Sequence, residues 1–501
     1  MQRSYSQILK SSALIGGSSV VVILIGIVRT KIMAILLGSA GFGLLGLYSS
    51  IVELVVSVAG MGINSSGVRQ IAEAAGTGDE RRVARTAAVL RRTVIVLGLL
   101  GAAFLALFSR QASLMTFGND DHAWAIALLS LAVLFQLLAG GQGALIQGTR
   151  RIGDLARMGV LGALLGALVG IPIAWHLREQ GVAPFLVCVA AMSLLVSWWY
   201  SRKILVDPPS MTFSEARGEA AELLKFGLAF MASGFLMIGA GYAVRMMLAR
   251  QVGLEAAGLY AAAWTLGGLY VNFVVQAMGA DFYPRLVSVA EDNSQCNRLT
   301  DEQSQIGMLL AAPGVCATIV CAPLVIALFY TSEFVGAIET LRWICLGVAM
   351  RVITWPMGFI VVAKGRRRLF LAVDFAWAAV NVVLTWLFVG WFGLNGAGMA
   401  FFGSYLFHGL IIYPIVLRLT GFSWSRESTR IGLFFVLCVG LVFAGCHFLP
   451  SPWAEVTGIG ITVSSGMYSL HRLLTSLAED RLPPKVQRIL ERLRISHWYP
   501  A

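Results

Sequence analysis

Ionisable side chains inside long apolar stretches are the residues of this chain best suited to chemistry. A charge at bilayer depth costs at least about 2.5–3.5 kcal/mol, so each such group needs a partner or a water-filled cavity. Cations outnumber carboxylates in this set, which predicts a site that binds an anion. The cations are Arg29, Lys31, Arg245 and Arg351, and the candidates for coupling or counter-charge are Glu53, Asp374 and His408.

Two of the cations occupy matching positions in the chain. Arg29 lies nine residues before Gly38, and Arg245 lies eight residues before Gly253, within similar sequence surroundings. The planar guanidinium group of arginine offers paired N–H donors to phosphate oxygens. The pair therefore predicts a phosphate or diphosphate site, and structural salt bridges are the alternative for every cation named above. Lys31 lies about 200° around the helix from Arg29, so the two should occupy different faces.

The remaining charges in apolar stretches have structural interpretations. Glu339 and Arg342 are three residues apart near a helix start and are expected to pair with each other. Glu53 is expected to be a counter-ion for Lys31 or Arg29. Asp374 is close to the basic segment 364–368 and could pair with it, and His408 is either a hydrogen-bonded packing residue or a proton carrier.

The composition defines the class of protein. The chain has 501 residues, of which 57% are hydrophobic and 13% are charged, against about 25% charged in soluble domains. Fourteen apolar stretches are separated by charges, glycine or proline, and a membrane-spanning helix needs about 20 such residues. The fold class predicted is an all-α polytopic membrane protein with 12–14 transmembrane helices. A soluble enzyme, a nucleic-acid-binding protein and a disordered scaffold are excluded.

Basic residues alternate between the segments that connect the apolar stretches. One set of alternate segments, which includes both termini, holds 30 of the 38 lysines and arginines, and the other set holds three. The positive-inside rule places the basic side in the cytoplasm. Both termini are therefore predicted to be cytoplasmic, and the net charge of +12 is assigned to contact with anionic membrane lipids instead of nucleic acid.

The sequence also contains an internal repeat. Four short motifs recur at offsets of 215 to 217 residues, among them the pairs Gly38 with Gly253 and Gly43 with Gly258. An even number of apolar stretches separates the copies, so the repeat is parallel. Two six-helix lobes around a central cavity are expected. The predicted divisions are an N-terminal lobe 1–222, a C-terminal lobe 223–420, two additional helices in 421–472 and a cytoplasmic amphipathic tail 473–501.

Four segments of the first 150 residues carry a family pattern: RTKIMAILLGSAGFGLLGLYSSI, AGMGINSSGVRQIAEA, GDERRVARTA and ALIQGTRR. Together they resemble the Wzx-type O-antigen translocases of the polysaccharide transporter family. That family belongs to the MOP superfamily, which also holds MATE exporters and the MurJ lipid II flippase. The likeness covers about residues 5–420 through the repeat.

The resemblance implies a flippase of the bacterial inner membrane, not an enzyme. Its substrate would be an undecaprenyl-diphosphate-linked oligosaccharide, moved from the cytoplasmic to the periplasmic leaflet. Similar proteins have a cationic lumen, which maps here onto Arg29, Lys31, Arg245 and Arg351. No cofactor is implied, although H⁺ or Na⁺ coupling through Glu53, Asp374 or His408 is an open alternative. A glycan polymerase or chain-length machinery is a candidate partner.

Three rival functions remain open. The chain continues for about 80 residues beyond twelve helices, and MurJ-like proteins add two helices, so a lipid II-type flippase is one alternative. A MATE-type exporter of organic cations is another, although its site should be acidic. A membrane glycan polymerase or ligase usually needs a sizeable outer loop, whereas the longest predicted outer loops, 109–122 and 176–184, are short.

Overall fold

The structure is a computed structural model that describes residues 2–204 and 211–476, with side chains from residue 17 onward except 213, 226, 229–230, 233, 272–281 and 476. Within these ranges every regular element is helical. The α-helices are α1 (Gln2–Ala59), α2 (Ile63–Gly76), α3 (Glu80–Leu107), α4 (Ser109–Phe117), α5 (Ala123–Gly148), α6 (Ile152–Leu177), α7 (Val182–Ser201), α8 (Phe213–Gln251), α9 (Leu254–Ser288), α10 (Asn293–Val320), α11 (Ala322–Phe329), α12 (Ala337–Ala363), α13 (Arg367–Phe392), α14 (Leu394–Thr420), α15 (Arg426–Phe448) and α16 (Trp453–Ser476).

These helices confirm the predicted class of multi-pass, all-α membrane protein. Nine stretches of the described residues are long and apolar enough to cross a bilayer. One of them, Ile152–Ser201, is 50 residues long and holds both α6 and α7. The tail predicted for 473–501 lies outside the described residues beyond Ser476.

Helix α1 contains a break that separates two of the predicted spans. Gly38 has φ 65° and ψ −172°, so the helix is interrupted there. A positive φ is strained for residues with a side chain, and glycine adopts it without that penalty. The residues before and after Gly38 are therefore two distinct helical segments, as the apolar stretches 12–37 and 42–63 predict.

The chain separates into two compact units. Of the described residues, unit 1 comprises those up to Ala261 together with the short segment Phe329–Glu333, and unit 2 comprises Ala262–Leu328 and those from Phe334 onward. Helix α8 thus packs in unit 1, against α1, α2 and α3. The predicted lobe boundary after residue 222 was drawn from the sequence repeat, whereas the boundary between the units reflects how the helices pack. The two boundaries describe different properties, so the two six-helix lobes stay a prediction.

Each unit has its own apolar core. In unit 1 the fully buried side chains include Tyr48 of α1 with Ile126 and Leu129 of α5. In unit 2 they include Phe422 and Ile360. The last two helices are part of unit 2, because α15 and α16 pack against α10 and against each other.

Candidate functional site

Arg29 and Lys31 lie in the first segment of α1 and have different surroundings. Arg29 is half-buried and has no hydrogen-bond or ion-pair partner in the described part of the chain. The Lys31 ammonium donates a hydrogen bond of 2.8 Å to the carbonyl oxygen of Tyr330. The guanidinium of Arg29 therefore keeps all its donors for a ligand, whereas Lys31 also has a structural role.

Arg245 of α8 is held against the second segment of α1. Its Nη1 donates to the hydroxyl of Ser50 at 3.1 Å and to the carbonyl oxygen of Gly241 at 3.3 Å. Its Nε is buried and has no acceptor among the described residues. Leaving a buried donor unpaired costs about 1–3 kcal/mol. An anion beside this guanidinium would supply the missing acceptor.

Glu53 lies one turn beyond Ser50 on α1, and its charge interacts with that of Arg245. The expected partners, Arg29 and Lys31, are on the other side of the break at Gly38. Because the break ends the helical register, spacing along α1 does not predict which charges meet, and α8 supplies a cation that the sequence analysis did not pair with Glu53. The Glu53 side chain is exposed, so it needs contact with water within a membrane-spanning segment.

Three predicted residues come together in unit 2. Arg351 of α12 and Asp374 of α13 both act electrostatically on the hydroxyl group of Tyr405 in α14. The ring of His408 packs edge-on to that of Tyr405, with centroids 6.0 Å apart. Asp374 therefore acts on the same side chain as Arg351. The sequence analysis had considered only the basic segment 364–368 as its partner. Tyr405 was missed by sequence analysis, since a tyrosine in an apolar helix resembles an ordinary packing residue.

The imidazole of His408 is incompletely satisfied. Its Nδ1 is buried and has no hydrogen-bond partner among the described atoms. A packing histidine would have this nitrogen bonded, because an unpaired buried polar atom is costly. The arrangement leaves Nδ1 able to accept a proton or a hydrogen bond from a water molecule.

Glu339 and Arg342 form the structural pair expected from their spacing. Arg342 Nη1 lies 3.3 Å from Glu339 Oε2, and Arg342 Nε donates to the carbonyl oxygen of Ile319 at 3.3 Å. His447 of α15 adds a third member, with Nδ1 3.5 Å from the other oxygen of Glu339. Arg342 and Glu339 pair within α12, and the contacts of these side chains with Ile319 and His447 connect α12 to α10 and α15.

An acidic residue that sequence analysis missed, Glu333, contacts the break in α1. The carboxylate of Glu333 accepts a hydrogen bond of 3.1 Å from the backbone N–H of Ser39. In the same segment, the ring of Tyr330 packs edge-on to that of Phe42, with ring centroids 5.6 Å apart. Segment Phe329–Glu333 thus caps the second segment of α1 across 294 residues of sequence, a separation that no local pattern indicates.

Two glycines that the repeat pairs with each other meet in unit 1. A Cβ atom on Gly43 would overlap the backbone of Leu254, and one on Gly258 would overlap the backbone of Ser39. The crossing of α1 and α9 therefore requires glycine at both positions. Small residues of this kind allow close backbone approach between membrane helices.

The helices and their buried charges define a polytopic membrane transporter with cationic groups in its spans. The chain belongs to the polysaccharide biosynthesis protein family, whose model matches residues 32–339. It is also 24% identical over 445 residues to the lipid III flippase of Escherichia coli (strain K12), covering 84% of this chain and 99% of that protein.

Solved structures with the same fold come from the MOP superfamily. An inward-facing MATE-family multidrug resistance transporter superposes with a TM-score of 0.67 at 14% identity, covering 80% of this chain and 96% of that one. The lipid II flippase MurJ, in an inward closed conformation, gives a TM-score of 0.65 at 12% identity and covers 92% of this chain and 98% of its own. At these identities the likeness establishes the fold alone.

Proposed function

We propose that this protein is a flippase that moves an undecaprenyl-diphosphate-linked oligosaccharide, an O-antigen or related surface polysaccharide unit, from the cytoplasmic to the periplasmic leaflet. The observation that carries the proposal is the pair of incompletely satisfied guanidinium groups, Arg29 and Arg245, within the spans of unit 1. Membership of a polysaccharide biosynthesis family supports a glycan substrate. The lipid III flippase relative supports a lipid-linked one.

The cations help the polar headgroup of the substrate to cross the hydrocarbon core of the bilayer. A diphosphate-sugar headgroup in hydrocarbon leaves many polar groups unsatisfied, at several kcal/mol each. Arg29 and Arg245 bind the diphosphate oxygens through paired N–H donors, Lys31 and Arg351 add positive charge along the path, and the polyprenyl tail stays in lipid. The protein then lowers the barrier to translocation without making or breaking a covalent bond.

The membrane potential supplies a direction. Moving an anionic headgroup outward is favoured by about 2.3 kcal/mol per charge for each 100 mV crossed. Glu53, Asp374 and His408 are the groups through which a proton or sodium ion would add to this drive. The proposed location is the bacterial inner membrane with both termini in the cytoplasm, in contact with anionic lipids and with glycan polymerase or chain-length machinery as partners.

The test is translocation of a labelled undecaprenyl-diphosphate oligosaccharide by the purified protein in vesicles. Arg29→Ala and Arg245→Ala should each lower the rate more than about tenfold, since a hydrogen bond to a charged group contributes about 1.5–3 kcal/mol. Arg110→Ala is the matched control, because Arg110 is exposed and pairs with Asp120. Equal rates for all three variants would contradict the anion site.

The same vesicles separate the rival functions. Translocation of lipid II in preference to the oligosaccharide would favour a lipid II-type flippase, in keeping with the fold shared with MurJ. Extrusion of a cationic dye, with no movement of either lipid, would favour a MATE-type exporter. Elongation or transfer of the glycan would favour a polymerase or ligase.

A further inference from the structure

A cavity of about 460 Å³ lies in unit 1 away from the cations discussed above. Its walls are the first two turns of α2, the last turns of α5 and the first turn of α6. The volume is within the range of about 300–1,000 Å³ found for small-molecule sites. The segments that form it, near 64–68 and 140–155, are on the side that the positive-inside count assigns to the cytoplasm.

The polar groups of this cavity are uncharged. Asn64, Ser65 and Gln147 line it, and all three side chains are exposed. The two amides have no hydrogen-bond partner within residues 17–204 and 211–476 of the structure. Each amide offers an acceptor oxygen and an NH₂ group with two donors. The cavity thus presents several donors and acceptors and, among its described lining residues, no ionisable group.

The rest of the lining is small or apolar. Val68, Ala144 and Leu155 form an apolar surface, and Gly140 and Gly143 supply wall without side chains. A Cβ at Gly140 would lie 2.7 Å from both the oxygen and the nitrogen of the Asn64 amide. Gly140 therefore lets the amide lie directly against α5. An apolar surface opposite amides and a hydroxyl suits a ring that carries hydroxyl groups on its rim and C–H groups on its faces.

We propose that this cavity binds an uncharged sugar residue of the lipid-linked glycan. The inference rests on the proposed function, and it divides recognition of the substrate between two places. The guanidinium groups of Arg29 and Arg245 bind the diphosphate, and the amides of Asn64 and Gln147 bind the sugar. A diphosphate is a poor ligand for this cavity, since none of its described lining residues is a cation, and an acyl chain would leave the amides unpaired.

The experiment compares two lipids in the same vesicles: undecaprenyl diphosphate with its oligosaccharide, and undecaprenyl diphosphate without sugar. Asn64→Ala and Gln147→Ala should each raise KM for the glycan-bearing lipid about two- to tenfold, because one neutral hydrogen bond contributes about 0.5–1.5 kcal/mol. KM for the sugar-free lipid should stay the same. Gly140→Ala, which displaces the Asn64 amide, should reproduce the pattern.

Two controls make the result decisive. Gln70→Ala removes an amide from the same helix α2 at a position outside the cavity and should change neither KM. Arg29→Ala should impair both lipids. The sugar site is overturned if the cavity variants leave KM for the glycan-bearing lipid unchanged, or raise both values equally. A wild-type protein that translocates no lipid-linked glycan overturns the proposed function instead.

Discussion

Charged groups in the spans of unit 1 and unit 2 are arranged differently. Among the candidate site residues, unit 1 holds three cations, Arg29, Lys31 and Arg245, and one carboxylate, Glu53. In unit 2, Arg351 and Asp374 both act electrostatically on Tyr405, and the ring of His408 packs against that of Tyr405. Cations therefore outnumber carboxylates among the candidate residues of unit 1, whereas those of unit 2 include one cation and one carboxylate. This difference suggests that unit 1 binds the anion and that unit 2 is better suited to exchanging a proton.

Removing one cation from each unit is the strongest test of whether only unit 1 binds the anion. Arg29→Ala, already expected to lower translocation more than about tenfold, should be set beside Arg351→Ala. The second variant should lower the rate less than about threefold, a change of about 0.6 kcal/mol in the transport barrier. The measurement is the initial rate in vesicles at fixed substrate. Equal losses in the two variants would mean that both units bind the anion.

A proton gradient tests the role assigned to unit 2. One pH unit across the membrane is worth about 1.4 kcal/mol for each proton exchanged, so a coupled wild-type protein should respond severalfold to an imposed gradient. Asp374→Asn and His408→Gln should remove the response while leaving KM for the lipid unchanged. Glu53→Gln serves as the comparison in unit 1. If only Glu53→Gln removed the response, coupling would belong with the anion site.

The smallest effects on transport are expected from two acidic residues that differ in their partners. Glu339→Gln removes the negative charge that faces Arg342, whose side chain is 16% exposed, and should destabilise the protein by about 1–3 kcal/mol. Glu333→Gln keeps an acceptor for the Ser39 N–H and should cost about 1 kcal/mol or less, as for loss of a helix cap.

Thermal unfolding in detergent measures both variants of this pair. Glu339→Gln should unfold at the lower temperature, and both proteins should still translocate substrate once reconstituted. A larger decrease in unfolding temperature for Glu333→Gln than for Glu339→Gln would show that the break in α1 depends on the charge of the Phe329–Glu333 segment.

Local sequence patterns predicted much of the fold but only part of the site. Apolar length predicted the helices, because a bilayer imposes the same length on every span. The pairing of Glu339 with Arg342 was predictable since three residues of one helix bring both side chains to the same face. The interaction of Glu53 with Arg245 was not predicted, because it joins α1 to a helix far along the chain, and the pairing of Glu53 with Arg29 or Lys31 stays a prediction.

By itself, the sequence determined the class of protein, the positions of the spans, the repeat and the excess of cations. Each of these depends on composition or on spacing within one continuous helix. Only the tertiary structure decided that Arg245 meets Ser50, that Glu333 caps the second segment of α1, and that Arg351 and Asp374 both act on Tyr405. Such contacts join helices far apart in the chain, and their formation depends on how close the backbones pack, as Gly43 and Gly258 allow.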